Sequence, residues 1–126
     1  MPGLTQYNCV LFDFAQTTID ILKIDIECAE FTAFDAILAN PWCLDNVKQL
    51  MIEFHPCEIL NTRGNRILQS PELLSCWRTI RGIDKIGFKL WKFYNNLGCW
   101  LRSRRLKGLQ YYACWNAYYI NIKYLL

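Results

Sequence analysis

The chain has 126 residues, of which 53% are apolar and 20% are charged, and this composition is typical of one globular domain rather than a disordered chain. No apolar run reaches the roughly 18 residues that a bilayer-spanning helix needs. Residues 1–14 also lack the basic region and long apolar core of a signal peptide. We therefore expect a soluble chain with no membrane span and no targeting segment, and its compartment stays open.

The net charge of +3 conceals a division between the two halves of the chain. Residues 1–60 hold two bases and nine acids, a net −7, whereas residues 61–126 hold twelve bases and two acids, a net +10. Such asymmetry occurs in nucleic-acid-binding proteins, but no segment interleaves basic and aromatic residues as their binding surfaces do. We therefore do not expect nucleic acid as a partner.

The seven cysteines contain no C-x-x-C pair, which argues against a zinc knuckle or a thioredoxin-type site. Cys99 and Cys114 flank the basic run at residues 102–107. A disulfide between them and a pair of free, half-buried thiols are both compatible with the sequence.

The first half of the chain predicts a strand, a helix and a second strand. Residues 19–27 are rich in β-branched residues at both parities, which is typical of a central parallel strand buried on both faces. A helix follows and ends before Pro41, because apolar residues recur with helical spacing at Phe31, Phe34, Ile37 and Leu38. The second strand covers residues 47–55 and is closed by Pro56.

The second half predicts one more helix and two strands. Residues 70–72, Ser-Pro-Glu, are a typical helix start, and the apolar face of that helix comprises Leu73, Leu74, Trp77 and Ile80. One strand is predicted at residues 87–94, and the aromatic, β-prone stretch at residues 111–124 is expected to hold another. Since no crossover helix joins these two strands, they should pair antiparallel. The predicted order is β-α-β-α-β-β, an α/β fold with an antiparallel last pair.

The stretch IDILKIDIECAE at residues 19–30 resembles the signature IDxLKIDxEGxE of FkbM-type methyltransferases and the related methyltransferase-like proteins. The resemblance continues through VKQLMIEFH, GFKLWKFYNN and YYINIKYL, so it covers most of residues 19–126 and leaves residues 1–18 as a poorly defined lead-in. It implies a single, partial Rossmann-like methyltransferase sheet, equivalent to strands four to seven of that family. It also implies S-adenosylmethionine as cofactor and a small-molecule or glycan-type methyl acceptor.

The chain departs from this signature at Cys28, where the family has glycine. A side chain at this position resists a positive φ, and if the turn requires one, the cost is of the order of 1 kcal/mol.

The cofactor side of the family's fold has no counterpart in this sequence. The six glycines form neither GxGxG nor GxGxxG, and no acid ends an earlier strand to receive a ribose. We therefore expect the chain to be inactive alone, and its cofactor-binding residues stay unknown. Without strands one to three, the strand at residues 19–27 becomes an edge, which either residues 9–14, a second copy or a partner chain could cover.

The candidate site lies where the first two strands end, because ligands of open parallel sheets collect there. We predict Asp25, Glu27 and His55 as catalytic residues, with His55 as the base, and Glu30 and Glu53 as substrate-binding residues. Two alternatives stay open. In the first, the acids and His55 hold a hard divalent cation, although we expect no metal. In the second, either Asp25 or Glu27 caps the next helix, and His55 is a solvated residue at the end of its strand.

Two further groups of residues are candidates for a binding role. An aromatic set is more typical of core packing than of substrate stacking; its members are Trp91, Phe93, Tyr94, Trp115, Tyr118 and Tyr119. The basic run at residues 102–107, together with an exposed sheet edge, suggests the alternative function, a non-catalytic interaction module.

Overall fold

The protein is described by a computed structural model at residues 17–55, 70–102, 110–112 and 114–125. In chain order its strands and helices are β1 (Ile19–Ile24), α1 (Glu30–Ala39), β2 (Val47–Phe54), α2 (Ser70–Lys85), β3 (Phe88–Asn95), β4 (Trp100–Arg102), β5 (Gln110–Tyr112) and β6 (Trp115–Asn121). Short 3-10 turns cover Pro41–Leu44 and Ile122–Tyr124. The fold is α/β, and neither described helix is long and apolar enough to cross a membrane.

Four strands form one mixed sheet in the order β1-β2-β6-β3, with β1 parallel to β2 and β6 antiparallel to both of its neighbours. The predicted antiparallel pairing of the last two strands is confirmed. The strand expected within residues 111–124 is β6, which begins at Trp115 and ends at Asn121. Trp115 lies opposite Phe54 and Asn95, the last residues of β2 and β3, so the ladder ends there. The preceding residues pair instead as a hairpin of β4 and β5.

Strand β1 lies at the edge of the described sheet and is not buried on both faces as predicted. Ile24 is its only buried residue, and 54% of Ile21 is exposed. The reason is that β1 pairs with β2 on one side only among the described residues. Residues 9–14, which were expected to be able to cover this edge, lie outside the described part of the chain.

Both helices pack on the sheet face that carries Leu50, Ile52 and Phe54. The predicted apolar face of α2 was wrong in part: among the side chains that the structure describes in this helix, Thr79 and Ile83 are buried, while 44% of Leu74 and 58% of Trp77 are exposed. The helix continues past Gly82 to Lys85, so Ile83 belongs to it. At Gly82 the absence of a side chain leaves room for Leu38 of α1.

The prediction that the aromatic set is core holds for Tyr119 but is wrong for β3. Tyr119 is 2% exposed, whereas Trp91 and Phe93 are 55% and 50% exposed. Strand β3 is the second edge of the described sheet, so its side chains have neighbours on one flank only. Trp91 and Tyr94 pack edge-on against Tyr118 on β6, outside the buried core.

A disulfide joins Cys99 and Cys114, 15 residues apart, and resolves the alternative that the sequence left open. It fixes the turn after β3 to the start of β6. Beyond Arg102, the basic run that this disulfide encloses lies outside the described residues.

Two phenylalanines on neighbouring parts of the sheet test the burial pattern. Replacing the fully buried Phe54 with alanine should lower the free energy of unfolding by about 3–5 kcal/mol, because it removes core contacts and leaves a cavity. The matched change Phe93→Ala should cost about 1 kcal/mol or less, since half of that side chain is already in water. Urea unfolding of both variants checks this; equal losses would contradict the described burial.

The disulfide should stabilise the chain by restricting its unfolded state. Closing a 15-residue loop corresponds to about 3 kcal/mol. The double variant Cys99→Ser/Cys114→Ser should therefore unfold at lower urea concentration than the oxidised parent. Both chains measured with excess reductant, which also opens the disulfide of Cys28 in each, serve as the control and should unfold at the same urea concentration. A loss below about 0.5 kcal/mol in the oxidised double variant would show that the bridge does not constrain the chain.

Candidate functional site

The carboxyl ends of the parallel strands β1 and β2 meet at one edge of the sheet, and polar side chains follow both. Asp25 comes directly after β1, while Glu53 and His55 lie at the end of β2. One ligand atom from each of these three residues lies within 4.8 Å of the others. Glu27 joins them, with its Oε2 3.8 Å from His55 Nε2. The structure thus brings together Asp25, Glu27, Glu53 and His55, which were predicted to converge.

Glu30 lies beneath this cluster with none of its surface exposed. It stands in the first turn of α1, and its carboxylate accepts hydrogen bonds from the backbone N–H groups of Ile26 and His55, at 3.0 and 3.3 Å. The His55 Nδ1 lies 3.0 Å from the same carboxylate. Glu30 was predicted to bind substrate, but the structure places it behind His55 rather than on the open side.

The turn between β1 and α1 contains two non-glycine residues with positive φ, Glu27 at 48° and Cys28 at 84°. The position where the FkbM-type signature has glycine therefore does adopt the left-handed region, and Cys28 bears the cost, of the order of 1 kcal/mol. Cys28 is also disulfide-bonded. This turn directs Glu27, whose side chain is 82% exposed, to the rim above His55.

The capping alternative for the two acids is not what the structure shows. The residue before α1 is Ala29, and no side chain caps the helix. His55 is not a solvated strand end either, because only 8% of it is exposed. Asp25, Glu27 and His55 are therefore positioned by the ends of β1 and β2 and not by helix capping.

The surroundings of His55 act on its pKa in opposite directions. Burial lowers the pKa, but the hydrogen bond and charge of Glu30, followed by the charges of Glu27 and Glu53, outweigh burial and hold it above its ordinary value. The carboxylates around the ring thus stabilise a positive charge on the imidazole.

Two residues that the sequence analysis did not select hold the carboxylates in place. The Asn96 side-chain amide donates to Glu53 Oε1, and Lys23 Nζ donates to Asp25 Oδ2 at 2.9 Å. Asn96 is itself fixed by a hydrogen bond of its N–H to the carbonyl of Cys114, at 3.0 Å. A sequence signal existed, because Asn96 follows the end of β3, which runs in the same direction as β2.

Comparison of this chain with protein-family models, with curated proteins and with solved structures found no match.

The buried position of Glu30 yields a stability prediction. Glu30→Ala removes the acceptor of three donors and should lower the free energy of unfolding by about 3–5 kcal/mol. The matched control is Asp35→Ala on the exposed side of the same helix, which should change it by about 0.5 kcal/mol or less. Urea unfolding monitored by circular dichroism measures both. Similar values for the two variants would show that Glu30 does not anchor the site.

Proposed function

We propose that this chain carries the methyl-acceptor side of an S-adenosylmethionine-dependent methyltransferase domain of the FkbM type. The observation that supports it best is the convergence of Asp25, Glu53 and His55 at the ends of two adjacent parallel strands. The four-stranded mixed sheet with its antiparallel last pair is compatible with strands four to seven of a Rossmann-like methyltransferase sheet. The signature-like stretch at residues 19–30 supplies both the end of β1 and Glu30.

The chemistry of this side is the removal of a proton from the acceptor oxygen or nitrogen. His55 Nδ1 lies against the Glu30 carboxylate, so Nε2 is the ring nitrogen left to take this proton. The resulting imidazolium is stabilised by Glu30, which is within hydrogen-bond distance of Nδ1. Asp25 and Glu27, at the rim, orient the acceptor's hydroxyl or amine groups. The acceptor is a small molecule or glycan-type compound.

The described residues do not fit S-adenosylmethionine by themselves. The described glycines, Gly82, Gly87 and Gly98, lie in a helix interior or in turns after α2 and β3, and none of them opens a loop directly after a parallel strand. No described acid is placed to receive the ribose apart from the cluster itself. We therefore assign only the acceptor side to these residues. In this proposal, the cofactor side is supplied by additional protein beside β1, the edge strand of the described sheet.

The alternative function, a non-catalytic interaction module, draws support from one observation. Strand β3 is an edge of the described sheet and presents Trp91 and Phe93 half exposed. In this alternative the basic run at residues 102–107 and the sheet edge bind a partner protein, and the cluster around His55 has no catalytic role. Replacing Arg102, Arg104 and Arg105 with alanine should then abolish partner binding while the stability stays nearly unchanged.

Transfer of a labelled methyl group tests the proposed function. The chain is incubated with methyl-labelled S-adenosylmethionine and with extract from its source cells. The extract supplies the methyl acceptor and the protein that forms the cofactor side. Chain-dependent label transfer should fall by about 10²-fold or more in His55→Asn, because the acceptor loses its base. The matched control Asp20→Asn alters an exposed residue that pairs with Lys48, outside the cluster, and should leave transfer unchanged.

Two results would contradict the proposed reaction, and a third would contradict the assignment of the cofactor side. Label transfer that His55→Asn leaves unaffected would remove His55 from the reaction. Absence of any chain-dependent transfer, together with partner binding through the basic run, would favour the interaction module. Calorimetric titration of the isolated chain with S-adenosylmethionine should show no saturable binding; micromolar binding would overturn the assignment of the cofactor side to other protein.

A further inference from the structure

The donor atoms of Asp25, Glu53 and His55 form a compact set with the composition of a metal site. They lie within 4.8 Å of one another, and ligands about 2.1 Å from a common ion are separated by roughly 3–4 Å. The set consists of two carboxylate oxygens and one imidazole nitrogen.

His55 is oriented in the way that metal-ligating histidines are. Such histidines present one ring nitrogen to the ion and donate the other ring N–H to a carboxylate, which fixes the tautomer. Glu30 is that carboxylate, 3.0 Å from Nδ1 and without exposed surface. Nδ1 therefore carries the proton of the neutral ring, and the lone pair of Nε2 points into the cluster.

The second ring nitrogen has no hydrogen-bond partner in the described part of the chain. The charged atoms near Nε2 are carboxylate oxygens of Glu53 and Glu27, at 3.6 and 3.8 Å, beyond hydrogen-bonding distance. His55 as a residue is only 8% exposed, and these two carboxylates are the charged groups nearest to Nε2 among the described residues. Because both are hydrogen-bond acceptors, a positive species is what suits the space between them and the ring nitrogen.

The charge balance points in the same direction. Four carboxylates, those of Asp25, Glu27, Glu30 and Glu53, surround the ring of His55. Among the described residues, one lysine offsets them, Lys23, which pairs with Asp25 at 2.9 Å. Repulsion among the acids is relieved most directly by a cation of charge two.

We propose that Asp25, Glu53 and His55 bind one divalent cation, with Glu30 and Asn96 as the residues that position its ligands. The mixed oxygen and nitrogen donor set without thiolate suits Mn²⁺ among the biological cations. The open side of the set leaves coordination positions for the oxygens of an acceptor.

Binding of the cation does not depend on the proposed function. The role of the cation in methyl transfer does rest on the proposed function. When the ion occupies Nε2, His55 is a ligand and not the base. The ion then acidifies the acceptor hydroxyl, and the proton leaves to Glu27 at the rim or to water.

Titration of the full chain with Mn²⁺, followed by electron paramagnetic resonance of the free ion, tests the proposal. We expect one saturable site per chain. Asp25→Asn and His55→Asn should each weaken it by about tenfold or more, because even the loss of an outer-shell partner of a ligand weakens metal binding by that much. His55→Asn is chosen because its amide can still donate to Glu30 from the position of Nδ1 while the Nε2 ligand is gone. Asp20→Asn is the matched control and should bind as the parent does.

Circular dichroism of each variant keeps the result interpretable, and Asp25→Asn, on the surface, provides a folded variant if His55→Asn unfolds. Absence of saturable binding up to about millimolar Mn²⁺, or equal binding in Asp25→Asn and Asp20→Asn, would overturn the proposal. The titration contains neither S-adenosylmethionine nor an acceptor. Saturable binding that depends on Asp25 therefore supports the cation site even if methyl transfer is never observed. Conversely, methyl transfer that persists with a chelator, by a chain that binds no Mn²⁺, would overturn the cation site and leave the proposed function standing.

Discussion

The buried carboxylate of Glu30 is the interaction on which the geometry of the site depends. It accepts hydrogen bonds from the backbone at the end of β1 and at the end of β2, and it lies within hydrogen-bond distance of the His55 ring. An unpaired carboxylate without exposed surface would be prohibitively costly, so all three donors must be in place when the chain is folded. The first turn of α1 adds favourable partial charge at the same point. One side chain therefore fixes where two strands end relative to each other.

The strain in the turn before α1 follows from this anchoring. Glu27 and Cys28 both have positive φ, at a cost of the order of 1 kcal/mol each. Such a turn persists only where its surroundings determine it, and here the Ile26 N–H is held by Glu30 two residues beyond the strand. The consequence is that Glu27 stands above His55 instead of following the line of β1. The backbone strain of the turn and the position of the Glu27 carboxylate therefore both follow from the anchoring by Glu30.

Parts of this arrangement could be predicted from the sequence because they depend on local patterns and on sheet geometry. Pro41 marked the end of α1, the β-branched residues of β1 indicated a strand, and the rule for parallel strands brought Asp25 next to His55. Burial of Glu30 could not be predicted, since an acid in the first turn of a helix is usually solvated. The exposure of β1 and β3 was also missed, because it depends on which strands lie beside them and not on their own residues. Spacing alone did not decide the bridge between Cys99 and Cys114.

The proposed base and the proposed cation both follow from the negative charge that surrounds the ring of His55. Glu27, Glu30 and Glu53 raise the pKa of His55, which means that they favour positive charge at the ring. A proton on Nε2 meets that demand, and so does a divalent cation on the same lone pair, but the two exclude each other. A dication interacts with each carboxylate about twice as strongly as a proton's single charge does, and it draws Asp25 into the cluster as well. Whenever the ion is present, its occupancy rather than protonation should therefore decide the state of His55.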